Sequence, residues 1–361
     1  EIGVRLVGSE MCIRDRGCSI VLEKKAKNFI LENIRRATLI NKNQIIRKIQ
    51  NYKHQTTLPF TLKNFTNFYH IPLQLIYKKA TWKRLCELAG RGDSIEKINE
   101  KEIQRAINKK WLSCNSYSYF NFIKKLASKN FKINFSTTSL NEKQMCLMLH
   151  YDVWQDAGGF KSLEESIHAI GRNKALNQEI VDLMQILIDR IDYIETPIKL
   201  PYEQPLKIHS RYTREQILAA FGFSTFKIKS SIREGVAVSK DKSTELLFIT
   251  LNKSEKDFSP TTLYEDFAIS EKLFHWQSQN NVKPESKKGQ SYINHKEKKK
   301  KILLFVREKG VDEYGNTMGS IFLGEARIKD YYGSKPMNIK WELQEPMPPY
   351  LWKDSAKMAV G

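Results

Sequence analysis

The sequence lacks several features that would assign it to a common class of protein. No run approaches the roughly 18 consecutive apolar residues of a membrane helix, and the start has none of the charged, apolar and small-residue segments of a secretory signal peptide. The five cysteines form no CxxC pair, and none follows Cys146, which argues against a disulfide framework and a zinc ribbon. We therefore expect a cytoplasmic protein without a membrane partner.

The familiar catalytic motifs are also missing. There is no GxxxxGK[ST] phosphate loop, no DExH-type box and no GxSxG elbow. His275 and His295 stand twenty residues apart without a clear third metal ligand. Glu245 and Lys253 flank a predicted strand, but the ordered acidic pattern of many nucleases is absent. We predict no catalytic residue, metal site or cofactor in this chain; an unrecognised nuclease would have to show metal-dependent cleavage that Glu245→Ala or His275→Ala abolishes.

Positive charge is abundant and unevenly distributed. The formal net charge is +20, of which residues 17–150 carry +17, residues 151–210 carry −4 and residues 211–361 carry +7. A surplus concentrated in one region indicates contact with a phosphate backbone. Solubility of a lysine-rich composition is the alternative explanation.

The first sixteen residues, EIGVRLVGSEMCIRDR, resemble the translation of a sequencing-library adapter over their whole length. We interpret residues 1–16 as an artefact and leave them out of the structural argument, as one would a fusion scar. On this interpretation the natural chain continues upstream, so we expect the present one to be the C-terminal part of a longer protein.

The remaining sequence divides by its hydrophobic period. Residues 17–195 repeat apolar residues at helical spacing, and the prolines of residues 196–210 predict an extended linker. Short β-branched and aromatic runs then alternate with turn residues over 211–352, and residues 353–361 form a tail. The expected fold is α+β, an all-helical half followed by a barrel- or sandwich-like, mostly antiparallel β-rich domain.

Local signals place two helix starts. Ser162 and Glu165 have the spacing of a capping box, as do Thr213 and Gln216, and Gly222 is placed to end the second helix. Aromatic residues between residues 65 and 82 alternate with basic ones, and could either stack on bases or fill the helical core.

The stretch LFHWQSQ, residues 273–279, combines aromatic and hydrogen-bonding side chains. Because successive side chains of a strand point to opposite faces, the two faces are Phe274, Trp276 and Ser278 on one side and His275, Gln277 and Gln279 on the other. The first is a plausible core face. The second could contact base edges, as glutamine does with adenine, or form a buried polar network.

A series of motifs in the second half resembles the uncharacterised C-terminal domain that follows superfamily 2 DEAD/DEAH-type helicases in bacteria. They occur in order over roughly 140 residues: YTR at 212–214, REGV at 233–236, TLNKSEKDFSPTT at 250–262, YED at 264–266, FHWQSQ at 274–279, YINH at 292–295, LFVRE at 304–308, FLG at 322–324, GSKP at 333–336 and Trp341. The helical half is similar, more loosely, to the segment joining the helicase core to that domain.

This resemblance implies a non-catalytic, nucleic-acid-binding region of a DNA helicase in restriction or phage defence. Helicase lobes, with ATP and Mg²⁺, and a phospholipase-D-like nuclease would lie upstream in the same chain. The resemblance brings no established catalytic residues. From side-chain chemistry, the candidate DNA contacts are four readers, His275, Gln277, Gln279 and Arg307, and two phosphate ligands, Lys253 and Lys287. A module that docks the helicase onto a nuclease is the alternative.

Overall fold

The computed structural model describes residues 40–252 and 266–352. It confirms the α+β class, with helices between residues 42 and 188 and a mixed sheet in the second half. The described helices of the first half are α1 (Lys42–Gln55), α2 (Leu62–Tyr69), α3 (Leu73–Tyr77), α4 (Trp82–Leu88), α5 (Glu100–Lys109), α6 (Tyr117–Ser128), α7 (Leu140–Val153), α8 (Leu163–Ile170) and α9 (Lys174–Ile188).

The second half begins with short strands and one helix, and then builds a sheet. Its described elements are β1 (Thr196–Pro197), β2 (Lys207–Ile208), β3 (Arg211–Tyr212), α10 (Arg214–Ala220), β4 (Val236–Val238), β5 (Thr244–Asn252), β6 (Phe267–Ala268), β7 (Leu273–Gln277), α11 (Lys287–Ile293), β8 (Lys301–Lys309), β9 (Ser320–Tyr332) and β10 (Asn338–Leu343).

The predicted helix starts are found where the sequence places them. Thr213 and Gln216 close a complete capping box on α10, and Gly222 follows that helix with φ +70°, a conformation that glycine adopts without strain. Ser162 caps α8 by accepting the Glu165 N–H at 3.1 Å. The Glu165 carboxylate instead accepts the Lys161 N–H, so the second bond of a capping box is not made there.

The main sheet has the order β4-β5-β8-β9-β10-β7-β6, with β3 paired to β9. All its pairs are antiparallel except β5 with β8, which run parallel from the Thr244–Lys301 pair to the Asn252–Lys309 pair. β4 and β6 stand at opposite edges, so the described strands do not close into the barrel that the sequence allowed. The mostly antiparallel arrangement is as predicted.

The parallel pair lies at the centre of two hydrophobic clusters. Leu303 and Phe305 of β8 pack with the helical half, whereas Leu304 and Val306 face the opposite side, where they share a second cluster with Trp341. A strand covered on both faces needs a continuous apolar run, which explains the uninterrupted ILLFV of β8.

Aromatic residues of the helical half fill its interior. Phe65 and Tyr77 are fully buried, and Trp82 is 7% exposed. The Phe65 and Trp82 rings lie 4.9 Å apart. These rings therefore form core contacts, the second of the two roles that the sequence allowed them.

Residues 196–210, predicted as a linker, carry β1 and β2, which pair with each other. Leu206 and Ile208 are buried in the same cluster that contains the helical core. Gly319, at the start of β9, comes so close to the helical half that an added Cβ would lie 2.3 Å from the Ser113 carbonyl oxygen. The two halves are therefore packed against each other through a shared core.

A buried carboxylate joins the helical half to α10. Asp152, at the end of α7, is 1% exposed, and its oxygens accept hydrogen bonds from the Trp111 indole at 3.0 Å, the Tyr119 hydroxyl at 2.8 Å and the Gln216 amide at 2.9 Å. Burial raises the pKa of Asp152 to about 6, although these donors oppose the rise.

In the described ranges no helix is both long and apolar enough to cross a membrane.

The Asp152 network predicts a specific dependence of stability on pH. Because the folded-state pKa lies above that of the unfolded chain, the contribution of Asp152 is fully present below about pH 4 and is lost as pH rises through about 6. We expect the free energy of unfolding of wild type, relative to Asp152→Asn, to fall by about 2–3 kcal/mol between pH 4 and pH 7. Urea unfolding of both proteins across this range measures it; a constant difference would contradict the assignment.

Candidate nucleic-acid interface

A cavity of about 650 Å³ opens where the helical half meets the sheet. Its walls are α5 and Gln155, two residues after α7, on one side, and α10, β5, β8 and residues 315–320 on the other. The volume lies within the range of about 300–1,000 Å³ that is typical of ligand sites. We call this feature the basic cleft.

Cations dominate the lining of the basic cleft. Its seven basic side chains are Arg105, Lys109, Lys110, Arg214, Lys229, Arg233 and Arg307. The one carboxylate among the lining residues is Glu215, which pairs with Lys110 at 2.9 Å. Such a surplus of positive charge attracts polyanions and raises their local concentration.

Arg214, the first residue of α10, is held in place by neutral groups. Its guanidinium lies 4.0 Å from the centre of the Phe248 ring and donates a hydrogen bond to the Glu234 carbonyl at 2.8 Å. Burial, and then the nearby charge of Arg307, lowers the pKa of Arg214 to about 10. The two guanidiniums therefore repel each other within the cleft, and among the described residues Arg214 forms no ion pair with a carboxylate.

Arg307 reaches the same cleft from β8. Its Nε donates to the Thr250 hydroxyl at 2.9 Å, and Nη1 lies 3.5 Å from the Met318 carbonyl. Thr250 is its register partner on β5. Side chains two residues apart on a strand share a face, so Arg307 follows Phe305 on the face that packs against the helical half. Burial lowers the pKa of Arg307.

The helical half supplies the opposite wall. Arg105 of α5 donates to the Val153 carbonyl, and Lys109, one turn later, donates to the Asn316 side chain at 2.7 Å. The second contact attaches the segment between β8 and β9 to α5. Side chains from distant parts of the chain thus share one cavity.

The structure places His275 and Gln277 on a different part of the sheet, separated from Arg307 by β9 and β10. His275 is 2% exposed; it stacks on Phe267 with ring centres 4.6 Å apart, and its Nε2 lies 3.2 Å from the Tyr332 hydroxyl. Gln277 donates to the Asn338 side chain at 3.0 Å. Phe274 and Trp276 are buried on the opposite face, as the alternation predicted.

The other predicted contacts are dispersed. The Gln279 side-chain oxygen lies 3.4 Å from the Tyr292 hydroxyl, and Lys287 is the first residue of α11. Lys253 lies outside the described residues. Of the six, Arg307 lines the basic cleft. The proposed base-reading role of His275, Gln277 and Gln279 stays a prediction.

The residues weighed for catalysis or metal binding have structural partners. The His295 Nε2 accepts the Ile328 N–H at 3.1 Å, so Nδ1 carries the proton and donates to the Lys300 carbonyl. Burial raises the pKa of Cys86 and Cys146 to about 12, which disfavours the thiolate a nucleophile requires. The part of the chain that the structure describes contains no group of three or more potential metal ligands.

Most of the cleft was missed by the reasoning from sequence. Arg214 lies in the YTR motif. That motif predicted a helix cap at Thr213 but no functional role for Arg214. Arg105 and Lys109 are four residues apart and therefore lie on one helix face. This spacing was the pattern in the sequence that could have identified them as neighbours. Nothing local indicates that this face meets β5 and β8.

Residues 206–355 match the family model described as "Domain of unknown function (DUF3427)". The match lies in the second half of the chain. The match covers 150 of the 361 residues, beginning just before β2. Arg214, Arg233 and Arg307 lie within the matched residues, whereas Arg105 and Lys109 lie in the helical half, so the cleft is at the border of the matched region. No curated protein matches the chain.

Glu245 of β5 is a structural group within the matched region. It is fully buried and pairs with Lys288 of α11 at 2.6 Å and with Lys300 just before β8. Removing Glu245 leaves the buried Lys300 ammonium without its partner. These pairs connect α11 to the central strands.

We therefore expect Glu245→Ala to lower the free energy of unfolding by about 3–5 kcal/mol. Glu313→Ala, which removes an exposed pair with Lys309, should cost at most about 1 kcal/mol. Denaturant unfolding of both variants gives the comparison. Equal, small losses would contradict a structural role for Glu245.

Proposed function

We propose that the chain binds DNA through the basic cleft, without performing chemistry on it. The observation that carries this proposal is the gathering of seven basic side chains around one cavity that, among the described residues, is lined by a single carboxylate. Guanidinium groups suit phosphate because their planar forks donate two parallel hydrogen bonds.

Electrostatic reasoning gives the expected behaviour. Each phosphate neutralised releases condensed counterions, so affinity falls steeply with salt. The charge distribution along the sequence supports the same role, because the helical half that forms one wall carries most of the net charge. Arg307, predicted as a DNA contact from sequence, is part of this cleft.

We also propose that the chain is the C-terminal region of a bacterial ATP-dependent DNA helicase acting in restriction or phage defence, in the cytoplasm. The resemblance of the ordered motifs supports this context. ATP and Mg²⁺ would then be bound by a helicase core upstream, beside a phospholipase-D-like nuclease domain. Sequencing the coding region upstream of residue 17 tests it; the absence of helicase motifs there would refute it.

A second candidate function is docking onto a protein such as a nuclease. A groove of about 470 Å³ beside β1 is lined by Tyr117 and Ile194, whose side chains are 48% and 88% exposed. Exposed apolar side chains of this kind favour protein contacts. Salt dependence separates the two functions, since an apolar interface need not weaken as salt rises.

The DNA-binding proposal predicts that Lys109→Glu weakens binding to fluorescein-labelled DNA at least tenfold and reduces the salt slope by about 1 or more. The fluorescence anisotropy of the labelled DNA, titrated with the whole chain between 50 and 200 mM salt, measures both quantities.

Lys101→Glu is the matched control. Lys101 is exposed on the same helix but does not line the cleft, and its reversal changes the net charge by the same amount. Binding should remain within about threefold of wild type. If both variants lose affinity equally, attraction comes from overall charge and the cleft is not the site.

A further inference from the structure

Arg214 and Arg307 contact neighbouring positions of β5 on one side of the basic cleft, Arg214 at the Phe248 ring and Arg307 at the Thr250 hydroxyl. Both guanidiniums are positioned by contacts with neutral groups: a phenyl ring and a carbonyl for Arg214, a hydroxyl and a carbonyl for Arg307. In the described ranges neither lies within 4.0 Å of a carboxylate oxygen, the distance of an ion pair. Among the described residues, each guanidinium is thus held by neutral groups and forms no ion pair.

Glu215 and Glu234, whose carboxylates act on Arg214 electrostatically, have other bonding partners. Glu215 pairs with Lys110 at 2.9 Å, and the Glu234 side chain accepts the Arg233 N–H at 2.9 Å. Two partly buried, mutually repelling cations are costly to hold together without an anion. The arrangement is therefore suited to a ligand that brings two negative charges to one point.

An internal phosphodiester brings one negative charge, whereas a phosphate monoester brings about 1.5 to 2 at neutral pH and three acceptor oxygens. Two guanidinium forks can satisfy those oxygens together. Phe248, beneath Arg214, adds an apolar surface next to the pair.

We propose that Arg214 and Arg307 bind the terminal phosphate monoester of a nucleic-acid strand, so that the cleft recognises strand ends. This inference rests on the proposed DNA-binding function, and it specifies the ligand of the same site.

The test compares four labelled single strands of one sequence. They carry a 5′-phosphate, a 3′-phosphate, a 5′-phosphate methyl ester with one charge, or hydroxyls at both ends. With the whole wild-type chain we expect one of the two monoesters to bind about tenfold more tightly than the dihydroxyl strand. The methyl ester should lose most of this preference. The preferred monoester identifies the end that is recognised.

Variants assign the preference to the pair. Arg307→Met and Arg214→Gln should each weaken binding of all strands and bring the monoester-to-hydroxyl ratio close to one. Lys229→Ala removes another cation of the same cleft and should weaken every strand while leaving the ratio intact. Thermal unfolding checks that each variant folds, and the methyl-ester comparison on wild type stands without any variant.

The outcomes separate the two proposals. If all four strands bind wild type equally and with steep salt dependence, the end-recognition inference is wrong and the DNA-binding function stands. If none binds at 50 mM salt, both are wrong. Retention of the monoester preference in Arg307→Met and Arg214→Gln would also overturn the assignment to this pair.

Discussion

The hydrogen bonds that converge on Asp152 are the constraint on which the cleft depends. Trp111 and Tyr119 belong to the helical half and Gln216 to α10, so this single carboxylate holds elements that are distant in the chain. α10 carries Arg214, and the helical half carries Lys109. A carboxylate that is removed from water must have its acceptors filled, and here donors from both halves fill them. The positions of the cations on the two walls follow from that requirement.

The sheet adds a second constraint through its central parallel pair. β5 and β8 are covered on both faces, so most of their side chains are apolar and tightly packed. Polar groups on these strands are then confined to the ends or require partners, as Glu245 shows at one end and Thr250 and Arg307 at the other. Arg307 is a cation placed where an apolar strand leaves the core. The packing that holds the Arg307 side chain in place also removes its guanidinium from water, and burying that charge costs free energy.

Two different polar surfaces emerge on one sheet. The His275 and Gln277 face contacts Phe267, Tyr332 and Asn338 among its described neighbours. The basic cleft has the opposite character, since its cations outnumber its carboxylates. Charge therefore favours the cleft as the site for a polyanion, while the chemistry of His275 and Gln277 is compatible with either an internal network or contact with bases.

Local patterns in the sequence predicted many of the elements, although β1 and β2 lie in residues 196–210, where an extended linker was expected. The apolar period gave the helices and strands, Thr213 and Gln216 gave the start of α10, and alternation in LFHWQSQ gave the two faces of β7, because each depends on neighbouring residues alone. The open sheet, the parallel pairing of β5 with β8 and the placement of Lys109 and Arg307 in one cavity were decided by tertiary structure. These features join residues up to about two hundred positions apart, and no local spacing records which apolar surfaces will pack together. The sequence thus determined how much positive charge the protein carries, and the packing of the two halves decided where that charge is concentrated.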